Sequence, residues 1–486
     1  MKKLVSVITA SLLVVGCNGA EQNHKQGQEQ DNPSASSATS VTIASSIKPK
    51  NIIMVVADGM GYAYPVAYRY WQDNPTTEHV ETTIFDRTLV GSSSTYPLAD
   101  SKTSSSTERA KDKVYVTDSA ASATSLATGV KTFNGAIGVD INGQPLPTVL
   151  EVAKSLNMKT GVVATSQIVH ATPASYIAKN DSRRNYNAIA DDFFDLRVNG
   201  QLKADVMLGG GSDYFIRQDR NLVEAFMQHD YRHLTNLQQL NTVTNNEKLL
   251  GLFAPIALKP NINSPVKNPL LEMSKAAITA LQNEQGFFLV IEASQVDWGG
   301  HANDIAYAMG EMHDLALTME YLYQYSQQDN DTLVIMTADH ETGGFSIAAN
   351  GRYQFKPHYL NNITASPKSL ANQLANNSID NDILQQKLGF TLDDSERNHL
   401  PTLQLENQQQ AQQQQWPSEK QQRDLSDRYY NFIKEVIDNR TNAGWTTSGH
   451  TAVDVPVFAF GPGAHTFIGH QDNIDIAAKI FNHLNN

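Results

Sequence analysis

Residues 51–57, Asn51-Ile52-Ile53-Met54-Val55-Val56-Ala57, form a nearly unbroken apolar run closed by Asp58-Gly59-Met60-Gly61. That is the pattern of a strand buried on both faces and ended by a tight loop. The pattern recurs at Lys159–Thr165, at Ala204–Leu208 before three glycines, and at Gly286–Ile291, Asp331–Thr337 and Val455–Phe460. Apolar positions at helical spacing predict helices over Thr148–Leu156, Pro269–Asn283 and Asn303–Gln324, and a closing helix over Asn473–His483. Strands alternating with helices imply an α/β fold: a three-layer sandwich with a large, mostly parallel central sheet flanked by helices. The stretch from about 351 to 441 interrupts this alternation and reads as an insertion; its Gln-rich part, Gln408–Gln415, has no apolar period and reads as solvated.

The two ends of the pattern differ. Lys2 and Lys3 precede an apolar core, Leu4–Val15, too short to cross a bilayer, and the run ends in Val14-Val15-Gly16-Cys17. This resembles a bacterial lipoprotein signal over residues 1–17, in which the cysteine becomes the lipidated first mature residue; an ordinary cleaved signal is the other reading. Cys17 is the only cysteine, so no internal disulfide forms. Asn18 to about Lys48 is rich in Gln, Ser, Asn and Thr and reads as a disordered spacer, leaving 49–486 as a single domain. The expected location is outside the cytoplasm, in the periplasm or at the outer membrane, with the membrane reached only through a lipid on Cys17. Asn18 after that cysteine leans toward the outer membrane by the usual sorting rule. Over all 486 residues, 40% are hydrophobic and 18% charged, ordinary for a soluble protein, while a net charge of −13 argues against a nucleic-acid partner.

The chemistry sits where the strands stop. Open α/β sheets bind ligands at the carboxyl ends of their strands. Here the first strand runs into Asp58, the second leads to His170-Ala171-Thr172, the fourth runs into Glu292, Asp297 and His301, and the fifth into Asp339-His340-Glu341. Buried carboxylates are costly unless paired, so their recurrence at one topological position points to a shared site neutralised by cations. Asp297 and His301 lie four apart and share a face if helical. His with carboxylate oxygen is a ligand set of catalytic zinc, and Asp339-His340 offers a second such pair. Asp58, Thr172 and Glu292 offer only oxygen, which suits Mg²⁺. Asp118-Ser119 opens the small-residue run Ala120–Gly129. A serine at a helix start near a metal can become a nucleophile toward phosphate, although Ser119 is equally read as a plain N-cap.

Taken together, Asp58-Gly59-Met60-Gly61, Asp118-Ser119-Ala120-Ala121, Glu292 with Asp297 and His301, Thr337–Gly344 and Ser448-Gly449-His450-Thr451 resemble the ordered motifs of alkaline phosphatase. The resemblance implies metal-dependent hydrolysis of phosphate monoesters through a phosphoserine on Ser119. It also implies two Zn²⁺ and one Mg²⁺. Asp297, His301 and His450 would hold the first zinc. Asp339 and His340 would hold the second, with Asp58 bridging it to the Mg²⁺ bound by Asp58, Thr172 and Glu292; Ser119 would touch a zinc. Arg183 would grip two phosphate oxygens, with Arg184 beside it as competitor. His170 and Trp298 stand where some members carry Asp and Lys, near the Mg²⁺ and the phosphate, and His170 would reach the metal through water or as a direct ligand. A homodimer is the family habit.

Other superfamily chemistries remain as alternatives. A sulfatase needs a Cys/Ser-x-Pro-x-Arg context, and Ser119-Ala120-Ala121-Ser122-Ala123 has neither the proline nor the arginine. A phosphodiesterase needs room for a second ester group on the side that Arg183 would occupy.

Overall fold

In a computed structural model of the chain, residues 48–102, 113–400 and 419–485 are described. The signal, Cys17, nearly all of the spacer and Gln408–Gln415 lie outside them.

Ten strands make the main sheet: β1 Asn51–Val56, β2 Leu89–Ser94, β3 Lys159–Gln167, β4 Val206–Gly210, β5 Tyr231–Leu234, β6 Lys248–Leu252, β7 Phe287–Glu292, β8 Thr332–Thr337, β9 Val455–Phe460 and β10 Gly469–Asp472. Their spatial order is β10-β2-β9-β8-β1-β7-β3-β4-β6-β5. The sheet is mostly parallel, and β9 alone runs against both its neighbours. Of these, β2, β5, β6 and β10 are where the sequence reading places no strand; β2, β5 and β10 carry no apolar run, and β6 has only the short one Leu249–Leu252, broken by Gly251. All four lie toward the sheet's flanks, where β10 (Gly-His-Gln-Asp) and β2 (with three serines) face partly into solvent. The flank of a sheet does not demand continuous hydrophobicity.

The helices that matter for the site are α1 Ser119–Thr128, α2 Val149–Ser155, α3 Ala171–Ser175, α4 Pro269–Leu281, α5 Gln295–His301, α6 Ile305–Asp329, α7 Pro367–Ala375, α8 Glu419–Thr441 and α9 Asn473–Asn485. β1 shows why its run is continuous. Ile53 and Val55 point into one core with Met273 of α4, Met312 of α6 and Val296 of α5, while Ile52, Met54 and Val56 point into the opposite core with Leu126 of α1, Leu150 of α2 and Ile480 of α9. The result is three layers, helices on sheet on helices. The insertion contributes to the first of these cores: Leu370 and Leu374 of α7 and Ile433 and Val436 of α8 are buried in it.

The register carries the strand ends to one level. Val56 pairs with Thr337 on one side and with Glu292 on the other, and Glu292 pairs with Ala164. The residues just beyond those positions are therefore neighbours in space. Gly59 permits the turn that follows β1: its φ is +78°, and a Cβ there would lie 2.6 Å from the Asp297 Cα.

Candidate functional site

Three groups of side chains collect at this level. Asp297, His301 and His450 form the first, Asp58, Asp339 and His340 the second, and Asp58, His170 and Glu292 the third; within each group the potential ligand atoms lie within 4.8 Å of one another. Asp58 belongs to two of them. His450 Nε2 is 3.1 Å from His301 Nε2 and 3.7 Å from Asp297 Oδ1, and His301 Nε2 is 3.4 Å from Asp297 Oδ2. His340 Nε2 lies 3.2 Å from Asp339 Oδ2, 3.5 Å from Asp58 Oδ1 and 3.2 Å from Ser119 Oγ. The rings of His340 and His450 stack at 3.5 Å, which joins the first two groups.

The local sequence explains each placement. Asp297 and His301 are one turn apart on α5, and two glycines, Gly299 and Gly300, let α5 pack closely against its neighbours: a Cβ at Gly300 would lie 2.5 Å from the Tyr64 hydroxyl. Asp118, not Ser119, is the N-cap of α1; its Oδ1 accepts from the Ala121 and Gly135 amides. The plain N-cap reading of Ser119 is thereby corrected, because Asp118 takes that role and leaves the Ser119 hydroxyl facing His340. Arg183 donates from Nη1 to Asp118 Oδ2 at 3.0 Å and approaches His170 Nε2 with Nη2 at 3.1 Å. Trp298 sets its ring edge-on to His170, 6.1 Å between centroids.

A donor set this acidic and this buried asks for cations. Asp58, Glu292, Asp339 and His340 are fully buried. Asp58 Oδ1 and Oδ2, Asp339 Oδ2, Glu292 Oε1, His170 Nδ1 and Thr172 Oγ1 all lack a hydrogen-bond partner, although buried polar atoms are normally satisfied. Burial, then the carboxylates of Asp339, Asp297 and Glu292, hold the Asp58 carboxyl well above its ordinary range. Burial opposes ionisation of Asp339 too, but His340 outweighs it and holds that carboxyl low; the same pairing raises His340 against its own desolvation. Burial and the neighbouring His340 push His450 down to about 4, so its ring is neutral, the form that ligates.

Residues that the sequence reading did not single out orient these groups. His301 and His450 each place Nδ1 on a backbone carbonyl, of Ser448 at 2.6 Å and of Thr117 at 2.8 Å, which turns Nε2 toward the cluster. The Thr342 hydroxyl donates to Asp297 Oδ1 and lies 3.2 Å from His340 Nδ1, tying the first group to the second. Ser294 and Ser166 donate to Glu292 Oε2. A small hydroxyl residue looks the same in sequence whether it packs or orients a ligand, and these three carried no separate signal.

A family model described as alkaline phosphatase matches residues 49–486. Alkaline phosphatase 3 of Bacillus subtilis (strain 168) is 40% identical over 437 residues, spanning 90% of this chain and 89% of that protein. The crystal structure of a cold-active alkaline phosphatase from the psychrophile Shewanella sp. superposes with a TM-score of 0.78 at 44% identity, covering 90% of this chain and all of that one. A variant of the alkaline phosphatase from the Antarctic bacterium TAB5, solved with Mg bound in its M3 site, is 27% identical with a TM-score of 0.63, covering 90% and 99% of the two chains.

Proposed function

The chain belongs to the alkaline phosphatase family, and from that premise we propose that it hydrolyses phosphate monoesters through a phosphoserine on Ser119. The observation that carries the reading is the convergence of three ligand groups on one end of the sheet, with Ser119 Oγ 3.2 Å from one of their imidazoles.

Asp297, His301 and His450 would hold one Zn²⁺, and Asp339, His340 and Asp58 the other. Asp58, Glu292 and Thr172 would hold Mg²⁺. When bound, these cations neutralise phosphate oxygens and make a hydroxyl a better nucleophile near neutral pH. Ser119 Oγ attacks phosphorus, the ester P–O bond breaks, and the alcohol departs. Water then cleaves the phosphoserine, returning the Ser119 hydroxyl and releasing inorganic phosphate. Arg183, held by Asp118, presents parallel N–H donors suited to two phosphate oxygens. It would occupy the side that a second ester group needs, which would favour a monoester over a diester. His170 lies between Arg183 and Glu292, its Nε2 3.1 Å from Arg183 Nη2 and its Nδ1 4.0 Å from Glu292 Oε1. His170, grouped with Asp58 and Glu292, would stand at the Mg²⁺ site, in reach of the cation directly or through water.

The test is activity on a chromogenic monoester, diester and sulfate ester, with and without chelator, together with trapping of the phosphoenzyme. Monoester activity lost to chelator and restored by Zn²⁺ and Mg²⁺ is expected, with label on the wild type and none on Ser119→Ala. Label retained by Ser119→Ala removes the serine from its role, and a preference for the diester or sulfate ester selects the alternatives.

The signal-like N-terminus supports export to the periplasm or outer membrane with a lipid tether on Cys17, and the family habit supports a homodimer. Fatty-acid labelling that persists in Cys17→Ala would remove the tether.

A further inference from the structure

His301 is the exposed member of its ligand group. Its side chain is 41% accessible, against 4% for Asp297 and 13% for His450. Packing therefore does little to hold the ring, which relies on its contact with the Ser448 carbonyl and on the backbone at the end of α5 that carries it. That backbone is the short turn Ala302-Asn303-Asp304, which ends α5 and opens α6, with Asn303 in the left-handed region at φ 49°. Asp304 caps α6 by accepting from the Tyr307 amide at 2.9 Å.

Helix α8 of the insertion grips this turn. The Tyr430 hydroxyl donates to Asp304 Oδ2 at 2.9 Å, and Lys434 Nζ donates to the Ala302 carbonyl at 2.5 Å. The two residues are one helical turn apart on one face of α8, and the Lys434 ammonium lies over the Tyr430 ring at 4.5 Å. The chain that follows α8 grips the other side. With its amide nitrogen as donor, Asn303 reaches the carbonyls of Gly300 at 2.8 Å and Thr447 at 2.9 Å, and His301 Nδ1 meets the Ser448 carbonyl.

We propose that Tyr430 and Lys434 are positioning residues for His301, so that the insertion sets how tightly the Asp297–His301–His450 group holds its cation. This rests on the cation reading above. It gives the insertion a task beyond covering a core face, and it predicts an effect confined to one of the two zinc groups, because neither Tyr430 nor Lys434 touches Asp58, Asp339 or His340.

The experiment loads the full-length enzyme with two equivalents of Zn²⁺ and follows their release to a chromogenic chelator. In the Tyr430→Phe/Lys434→Met double variant one equivalent is expected to leave about tenfold faster, the scale of outer-sphere effects on metal affinity, and the other at the wild-type rate. Tyr430→Phe alone removes a single oxygen, keeps the ring and should give a smaller change in the same direction. Ile433→Val trims the buried face of α8 without touching the turn; it should lower the melting temperature and leave both release rates alone. Release at wild-type rates from the double variant overturns the proposal, as does equal acceleration by Ile433→Val, which would mean a merely structural role. A wild type that takes up no Zn²⁺ removes the cation reading underneath and the proposal with it.

Discussion

Asp118→Asn separates the two jobs of Asp118. Its Oδ1 accepts two backbone amides, Ala121 and Gly135, and its Oδ2 accepts Arg183 Nη1 at 3.0 Å. An asparagine turns its carbonyl toward the two amides, since both are donors, and leaves its NH₂ facing the guanidinium. The cap survives, because Asn and Asp cap equally well. The charge-assisted bond does not. Such a bond is worth about 1.5–3 kcal/mol when well shielded; both side chains are about a fifth exposed (21% and 22%), which discounts it to about 1 kcal/mol. A guanidinium freed by that much should weaken inorganic phosphate about fivefold. The assay is the competitive inhibition constant of phosphate, measured for wild type, Asp118→Asn, Arg183→Ala and the double variant. If Asp118 acts through Arg183, the asparagine should change the constant by less than about twofold in the Arg183→Ala background. The same fivefold loss in both backgrounds would refute the reasoning and return Asp118 to a purely capping role.

Thr342→Val removes the hydroxyl shared by Asp297 and His340 at nearly constant volume. It should lower Zn²⁺ affinity at both groups, with Thr342→Ser restoring it; chelator competition that gives wild-type affinity for the valine variant would clear Thr342 of this role. Trp298→Lys places a cation beside His170 and should tighten phosphate inhibition; equal inhibition constants in parent and variant would sink the idea. Glu311 is buried on α6, where desolvation raises its carboxyl to about 8 while the Asn261 amide donates to it. Its folded value lies above the unfolded one of about 4.3, so stability falls as pH rises between those values. Glu311→Gln should therefore match wild type at pH 5 and exceed it at pH 9 by a few kcal/mol at most, on the order of the linkage term; an equal difference at both pH values would count against this. Chelation should lower the melting temperature and added Zn²⁺ should restore it in a concentration-dependent way; an unchanged transition would speak against cation binding by the folded state.

The parts of the fold legible in the sequence are those where one pattern has one cause. A strand buried on both faces has to be apolar throughout, so β1, β3, β7 and β8 were readable, and their register then fixed where Asp58, His170, Glu292 and Asp339 would meet. The flanking strands were not readable, because β10 and β2 need only their backbones to pair. The ligand groups were legible because buried His, Asp and Glu at strand ends have few other reasons to recur. What orients them was hidden. Thr342, Ser294 and Ser166 are ordinary small residues, and Tyr430 and Lys434 meet the His301 turn across 126 and 132 residues of chain. No local period encodes a contact at that separation.

That hidden layer follows from the electrostatics of the site. Two like charges 4 Å apart repel by about 4 kcal/mol even at an effective dielectric constant of 20. Asp58 faces three other carboxylates, those of Asp339, Asp297 and Glu292. Left alone, such a cluster would relax by turning its carboxylates outward or taking up water. The fold blocks the first route for the three carboxylates around Asp58 by fixing them from behind: Gly59 N donates to Asp339 Oδ1, Ser294 and Ser166 hold Glu292, and Thr342 holds Asp297. The oxygens left over are those facing one another, Asp58 Oδ1 and Oδ2, Asp339 Oδ2 and Glu292 Oε1. A protein that satisfies the outer lone pairs of the acids around Asp58, and leaves their inner ones converging on it, has arranged its repulsion to be relieved by cations between them. The hydroxyls and amides behind the ligands are then as much a part of the site as the ligands, which is why the variants that discriminate best are Thr342→Val, Asp118→Asn and the Tyr430/Lys434 pair, none of which removes a ligand.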